Sequence, residues 1–335
     1  MTIRKLLALA LGAVVLGGVV AAGALLYYAR APLSIGAVPV QFSLKSGSSL
    51  KSAARQMADA GVLRHPAVFV LLGRILGRAG RIKAGSYEFE QGLTPYTLLQ
   101  KITRGDVTLM AITFTEGVTF RQMRRLLDEH PKVRHETTAL QEAQILEQLS
   151  ITESSAEGWF FPDTYYFSEG TADVAILQRA HQLMRHHLGT QWERRASDLP
   201  FATPYDALIV ASIVEKETGR SDDRPLVAAV FVNRLRKGML LQADPTVIYG
   251  LGEAFDGNLR KRDLLADTPY NTYTRGGLPP TPIAMPGLAS LAAVMDPPQS
   301  DVLYFVSRGD GSSHFSRTLT EHDRAVTKYQ RSGRR

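Results

Sequence analysis

The chain contains no cysteine among its 335 residues. A disulfide framework is therefore excluded, and so is a lipid anchor attached through a cysteine thiol. Zinc-protease, phosphate-loop and dinucleotide-binding glycine motifs are also missing. The formal net charge is +7, but the basic residues form no run interleaved with aromatic residues. The net charge thus favours an anionic neighbourhood, which could be lipid headgroups, nucleic acid or acidic wall polymer, and the missing basic and aromatic run argues against nucleic acid.

Charged residues are also missing from Leu6 to Tyr28. A helix rises ~1.5 Å per residue, so this run is long enough to cross a hydrocarbon core of ~30 Å. Arg4 and Lys5 precede it and Arg30 stands alone after it, so the charge bias predicts a cytoplasmic N-terminus with the rest of the chain outside. A cleaved secretory signal is the alternative, although the apolar region of such signals is usually ~7–15 residues long.

A pattern recurs three times in the first half of the chain, at residues 42–49, 87–94 and 112–119. Each copy has alternating apolar residues typical of a short strand, then a glycine turn, then a Ser or Thr that can cap a helix. These units predict a compact α+β module over residues 38–112. The module carries no cluster of His, Asp or Glu for acid-base chemistry, which favours a binding or spacing role.

One helix in the second half carries a carboxyl group on an otherwise apolar surface. Thr203 and Pro204 provide an N-cap and a first-turn proline, and the segment ALIVASIVEKET follows. At ~100° per residue, Glu217 continues the apolar stripe that includes Val214, whereas Glu215 lies on another face. The two carboxylates therefore cannot act as a close pair.

Two interpretations of Glu217 follow from this position. Burial against an apolar surface disfavours the charged form, raises the pKa and lets the group hold a proton near neutral pH. A general acid that cleaves a glycosidic bond requires such a proton. Alternatively, Glu217 forms an ion pair with Arg220 or Arg224 beyond the helix end. Spacing alone leaves both interpretations open.

Two further regions suit a carbohydrate, each with a structural alternative. The block EGWFFPDTYYF offers aromatic faces to sugar rings, but large aromatic residues are mostly core, and we favour core for its Trp and Phe residues. Turn-rich segments between residues 238 and 287 display Asn, Gln, Thr and Tyr, whose uncharged groups suit sugar hydroxyl and acetamido groups. Their alternative is a purely turn-forming role.

Several motifs behind the apolar N-terminal segment resemble one protein family. In order they are KAGSYEF, EGWFFPDTY, ASIVEKET, VFVNRLRKGMLLQADPTVIYGLG, PYNTY, GLPPTPIAMPG, LYFVSRGDGSSHFSRT and EHDRAVTKY. Together they closely resemble the endolytic murein transglycosylases of the MltG (YceG-like) family, over nearly the whole chain. The resemblance implies an α+β protein with a transmembrane helix, a small LysM-like module and a larger mixed α/β catalytic domain.

The resemblance further implies a single-pass protein of the cell inner membrane whose C-terminal domain is periplasmic. The expected layout is a cytoplasmic N-terminus at 1–5, the transmembrane helix at 6–28, a linker at 29–37, the LysM-like module at 38–112, the YceG-like catalytic domain at 113–330 and a basic tail at 331–335. Such proteins cleave nascent peptidoglycan glycan strands within the chain. We expect no cofactor and no metal, and the resemblance suggests penicillin-binding protein synthases as partners.

The second glutamate of the VEKET motif is the catalytic residue of this family, and that position is Glu217, in agreement with the helix analysis. It is expected to protonate the oxygen of the MurNAc-GlcNAc β-1,4 bond and then to accept the proton of the muramoyl 6-hydroxyl, leaving a 1,6-anhydroMurNAc end. By a weaker analogy with other lytic transglycosylases, the predicted substrate-binding residues are Gln242, Asn271, Tyr273, Asp244 and Tyr249. Asp223 stands near the place where many relatives have a glutamate, and its role is left open.

Other functions and sites receive less support from the residues. A wall-binding scaffold would use the glutamate structurally, and a hydrolase would leave a reducing end. His186 and His187 are adjacent, so they cannot form the i,i+4 pair of a metal site. For His314 we favour a structural hydrogen bond over a catalytic role. Ser212 lacks the glycine pattern of a serine nucleophile.

Overall fold

The structure is a computed structural model of the chain and describes residues 3–33, 35, 40–45, 47–89 and 91–331. It divides into two compact units, the first made of Met1–Met110 with Tyr166–Gly170 and the second of Ala111–Tyr165 with Thr171–Arg335. The expected functional domain boundaries stay a prediction. Parts of the predicted N-terminus, linker and basic tail lie outside the described residues, namely 1–2, 34, 36–37 and 332–335.

The first unit begins with a long apolar helix and continues as a small α+β module. Its elements are α1 (Ile3–Arg30), β1 (Val40–Leu44), α2 (Leu50–Asp59), α3 (Pro66–Ile75), β2 (Gly85–Phe89), α4 (Pro95–Arg104) and β3 (Leu109–Thr113), the last of which runs into the second unit. Helix α1 is long and apolar enough to cross a membrane and extends beyond the predicted run at both ends. Strands β1 and β2 pair antiparallel.

The predicted strand-turn-helix units are confirmed. The side chains of Ser49, Thr94 and Thr119 each accept a hydrogen bond from the backbone N–H three residues later, at the starts of α2, α4 and the next helix of the chain. The glycine two residues before each cap has a φ between +75° and +86°. Glycine adopts this left-handed conformation without the steric cost that a Cβ atom would impose.

The second unit is mainly helical in its described residues. Its elements are α5 (Phe120–Glu129), α6 (Glu142–Gln148), β4 (Thr164–Ser168), α7 (Asp173–Glu193), α8 (Pro204–Glu217), α9 (Arg224–Arg236), α10 (Asp244–Leu251), α11 (Lys261–Leu265), α12 (Leu288–Met295), β5 (Tyr304–Ser307), β6 (Ser313–Ser316), α13 (Leu319–Val326) and a closing π-helical turn (Thr327–Arg331). Strands pair only two at a time, β3 with β4 and β5 with β6, among the residues described. The α+β class is thus confirmed, while the domain expected to be mixed α/β has little sheet because most of its apolar segments follow helical periodicity.

The Trp and Phe residues of the aromatic block are core, as favoured above. Trp159, Phe160 and Phe161 are all buried. Trp159 stacks on Tyr205 with ring centroids 5.7 Å apart, and Phe160 stacks on Phe120 at 5.1 Å. These rings therefore hold the start of α5 and the start of α8 in place, and they are not free to bind a sugar.

Candidate active site

Helix α8 is the central helix of the second unit, and its last residue is Glu217. Every residue from Ala207 to Val214 is buried, and α7, α9, α10 and α12 pack around the helix. A helix that is apolar on all sides requires such surroundings. The helix begins at the predicted cap, where the Thr203 side chain accepts a hydrogen bond from the Asp206 N–H, and it ends at Glu217. The carboxyl group thus emerges where the core ends.

Glu217 lies in a cleft of about 550 Å³, a volume within the range of small-molecule sites. The cleft is lined by Glu217, Arg234, Leu241, Gln242, Asp244, Tyr273, Tyr304, Phe305, Val306, Ser307, Ser313, Leu319, His322, Val326 and Gln330. Residues from α8, α9, the loop before α10, both strands of the β5–β6 hairpin and α13 therefore converge on one acid.

The surroundings of Glu217 favour its protonated form. Desolvation by burial is the largest effect and, together with the negative charge of Asp244, raises the pKa of Glu217 to about 8, against the opposing charge of Arg234. In the part of the chain that the structure describes, no side chain forms a hydrogen bond or an ion pair with this carboxyl group. Glu217 therefore carries an available proton at neutral pH.

The alternative interpretation, an ion pair with a nearby arginine, does not describe the structure. The Arg220 Nη2 atom lies 3.8 Å from the Asp222 Oδ2 atom, and the Arg224 Nη2 atom lies 3.8 Å from the Glu215 Oε1 atom. Both arginines are therefore committed to other carboxylates. The prediction that Glu215 and Glu217 face different surroundings is confirmed.

Three predicted binding residues lie in the cleft with Glu217. The Tyr273 hydroxyl donates a hydrogen bond to Asp244, and the backbone N–H of Gln242 donates to the Thr272 carbonyl at 3.0 Å. Gln242 has a φ of +49°, an uncommon conformation for a residue other than glycine. Such backbone strain is often found at ligand-binding positions.

The other two predicted binding residues, Asn271 and Tyr249, are not among the residues that line the cleft. Asn271 is only 1% exposed, and its amide donates to three backbone carbonyls between residues 263 and 266 while accepting from the Tyr273 N–H. It thus holds Tyr273 in place without facing a ligand. Tyr249 donates its hydroxyl to Glu157 at 3.0 Å.

Glu157 is a second buried carboxyl group, and it belongs to the fold around α5. Besides the Tyr249 hydroxyl, it accepts the backbone N–H of Phe120 at 3.0 Å. Burial raises its pKa to about 8, as for Glu217, although these two donors oppose the shift. A raised pKa alone therefore does not separate the two glutamates, whereas exposure to the cleft does.

The cleft residues that were not identified from the sequence include Arg234, Tyr304 and His322. The Arg234 guanidinium donates to the carbonyls of Leu303 and Leu241 at 2.8 and 2.7 Å and lies 5.2 Å from the Tyr304 ring centroid. The Tyr304 and His322 rings stack at 5.2 Å. The sequence signal for Arg234 was an arginine in the segment LVAAVFVNRL, whose other residues are apolar except for Asn233, and this pattern indicates a buried charge without indicating its partners.

Asp223 receives a structural role at the cleft wall. Its carboxylate accepts the backbone N–H of Ser313 at 2.7 Å, which ties β6 to the start of α9. Ser313 itself lines the cleft. Asp223 therefore positions one wall and is not among the cleft-lining side chains.

One group of side chains among the described residues has the spacing of a metal site, namely Asp128, His135 and Asp173. The Asp173 carboxylate already accepts the backbone N–H groups of Glu136, Thr137 and Val174. The bonds from Glu136 and Thr137 connect the start of α7 to the loop between α5 and α6. They explain the burial of Asp173 without a metal, and we assign this group no metal role.

The chain is similar to several known proteins. Residues 42–328 match the YceG-like family. An endolytic murein transglycosylase of Bacillus subtilis (strain 168) is 30% identical, with 87% of this chain and 84% of the relative covered. One of Streptococcus pneumoniae (serotype 2, strain D39) is 27% identical, with 88% of this chain but 59% of the relative covered. The crystal structure of a yceG-like protein from Listeria monocytogenes superimposes with a TM-score of 0.53 at 28% identity, covering 85% of this chain and 98% of the other.

Proposed function

The chain belongs to the YceG-like family, and from this we propose that it is an endolytic peptidoglycan lytic transglycosylase. Its substrate is the MurNAc-GlcNAc β-1,4 bond of nascent glycan strands, and its action terminates or releases chains during wall synthesis. One observation carries the proposal beyond the names of the relatives. Glu217, with a pKa raised to about 8, stands without an ion-pair partner among the described residues in a cleft of about 550 Å³.

The reaction requires one group that first donates and then accepts a proton. Glu217 in its neutral form protonates the glycosidic oxygen as the bond to the anomeric carbon breaks. The resulting carboxylate accepts the proton of the muramoyl 6-hydroxyl, whose oxygen attacks the same carbon. A 1,6-anhydroMurNAc end forms, and Glu217 is neutral again. Because the nucleophile belongs to the substrate, the second carboxylate of most glycosidases is not needed as a nucleophile or base.

The charges beside Glu217 suit both halves of this cycle. Asp244 disfavours the ionised acid and so keeps the proton available before the reaction, whereas Arg234 stabilises the carboxylate that exists during it. Gln242 and Tyr273 display an amide and a phenol in the same cleft. Such uncharged groups hydrogen-bond sugar hydroxyl and acetamido groups, and we assign them to substrate binding. Asn271 supports that role by positioning Tyr273.

We also propose the cellular placement. Helix α1 anchors the protein in the cell inner membrane by a single pass, with the short N-terminus in the cytoplasm and the chain after α1 in the periplasm. The element order β1-α2-α3-β2, with antiparallel pairing of the two strands, supports a LysM-like glycan-binding module. The substrate is produced by peptidoglycan synthases, which makes penicillin-binding proteins the expected neighbours.

The test is product analysis with purified full-length protein and polymerised, uncrosslinked glycan. Mass spectrometry should find new ends lighter by one water than a hydrolysed end. Glu217→Gln should lower the rate at which these ends form by at least ~10²-fold. Glu129→Gln, an exposed change at the end of α5, should leave this rate unchanged. Cleavage retained by Glu217→Gln would exclude this mechanism. Reducing ends would identify a hydrolase, and an inactive wild type would favour a scaffold.

A further inference from the structure

Helix α3 exposes apolar side chains on the face turned away from its core. Phe69 and Leu72 are buried, but Leu71 is 50% exposed, Ile75 62% and the following Leu76 40%. A helix that packs by one face normally carries polar residues on the other. In α3 the outer face repeats apolar residues at i and i+4, at positions 71 and 75, and this stripe has no partner among the described residues.

The chain around this stripe is strongly basic. Residues 60–87 contain Arg64, Arg74, Arg78, Arg81 and Lys83 and no acidic residue. The Arg78 guanidinium lies 5.7 Å from the ring centroid of the partly exposed Tyr96. Apolar residues flanked by arginine and tyrosine are typical of helices that lie in a membrane interface, where cations attract anionic headgroups.

The last turn of α1 contacts the core that carries α3 and the residue that precedes α3. Ala29 is buried in the core of the first unit, and Leu25 and Tyr28 pack against that core. The Tyr28 hydroxyl donates to the carbonyl of His65, the residue that precedes α3, at 3.3 Å. Leu25 lies three residues before the end of the apolar run, or ~4.5 Å along the helix. Wherever α1 spans a bilayer, the elements that touch its last turn therefore lie at headgroup level.

We propose that α3 docks on the outer surface of the membrane that α1 spans, with Leu71, Ile75 and Leu76 at the boundary between headgroups and acyl chains and Arg74 and Arg78 bound to anionic lipid. This inference rests on the proposed anchoring by α1. A protein partner for the same stripe is less favoured, because the start of α3 contacts the last turn of α1 and the charged residues that flank the stripe are all basic. The docking would give the first unit a second contact with the bilayer besides α1 and so restrict its motion relative to the membrane.

The cysteine-free chain permits a direct test with spin labels on the full-length protein. Single-cysteine variants Val15→Cys, Ile75→Cys and Arg55→Cys report on α1, the proposed docking face and an exposed position of α2 in the same unit. The protein is reconstituted in bilayers containing phosphatidylglycerol. Collision rates with oxygen and with a water-soluble nickel complex then measure depth.

We expect the labels at residues 15 and 75 to collide preferentially with oxygen and the label at 55 with nickel. Adding Arg74→Gln and Arg78→Gln, or replacing the anionic lipid by phosphatidylcholine, should move the label at 75 towards water and leave the label at 15 unchanged. A lipid-exposed label at 15 with a water-exposed label at 75 would overturn the docking while preserving the anchor. A water-exposed label at 15 would overturn the anchor itself, and with it the docking. Protection of position 75 in native membranes but not in purified bilayers would instead assign the face to a protein partner.

Discussion

Arg224 and Glu215 form a nearly buried ion pair, with 3.8 Å between guanidinium Nη2 and carboxylate Oε1 and side chains that are 10% and 6% exposed. The second oxygen of Glu215 accepts the backbone N–H of Gly287 at 2.9 Å. One glutamate thus joins the end of α8 to the starts of α9 and α12. Glu217, two residues further, is left without a bond to any described side chain and faces the cleft.

Replacement by glutamine should lower the free energy of unfolding at Glu215 but not at Glu217. Glu215→Gln removes the ion-pair partner of the nearly buried Arg224 and should lower the free energy of unfolding by about 3 kcal/mol. Glu217→Gln should cause no such loss, because it removes a carboxyl group that burial already disfavours. Urea unfolding of both variants measures the difference. A larger stability loss for Glu217→Gln would mean that Glu217 is the structural residue of the pair.

The activity should decline at alkaline pH, because Glu217 must carry a proton. With a pKa of about 8, the acid is protonated below that pH and ionises above it. Asp244→Asn removes a negative charge that raises this pKa, so the decline should begin at lower pH. Initial rates of anhydro-end formation across pH measure the shift. Asp198→Asn, an exposed change outside the cleft, is the control, and an equal shift in both variants would contradict this role of Asp244.

The carboxyl group of Glu217 should also make the free energy of unfolding depend on pH. The folded state holds the Glu217 proton up to a pKa of about 8, whereas an unfolded glutamate releases it near ~4.3. The folded state therefore binds more protons in this window, and its stability falls as pH rises through it. Glu217→Gln removes this dependence, so the variant should gain stability relative to wild type between pH 5 and pH 9. Thermal unfolding at both pH values provides the comparison, and a constant difference would argue against a raised pKa.

We expect that the side chain of Gln242 contributes to activity, although the backbone conformation at this position lowers stability. Gln242→Gly relieves the strain at φ +49° and should raise the free energy of unfolding by about 1 kcal/mol. Turnover should nevertheless fall by about tenfold if one sugar hydrogen bond of ~1.4 kcal/mol is lost. Gln242→Asn tolerates the same conformation and keeps an amide, so it is the matched control. Full activity of the glycine variant would remove Gln242 from the binding site.

Local signals in the chain were sufficient for several elements of the fold. The caps at Ser49, Thr94, Thr119 and Thr203 were readable because a side-chain oxygen satisfies a backbone N–H three residues away, a relationship that does not depend on distant contacts. The apolar run of α1 and the position of Glu217 at the end of α8 follow from helical geometry in the same way.

The tertiary structure alone decided which groups surround Glu217. Arg234 and Asp244 reach it from separate segments of the chain, and Asn271, predicted from the same loop chemistry as Tyr273, is buried with its amide bonded to the backbone. Polar residues in turns satisfy either a ligand or the main chain, and that choice depends on packing between segments distant in sequence. The sequence by itself therefore determined the long apolar helix α1, the caps and the position of Glu217 at the end of α8, whereas long-range packing determined the charges and hydrogen bonds around Glu217.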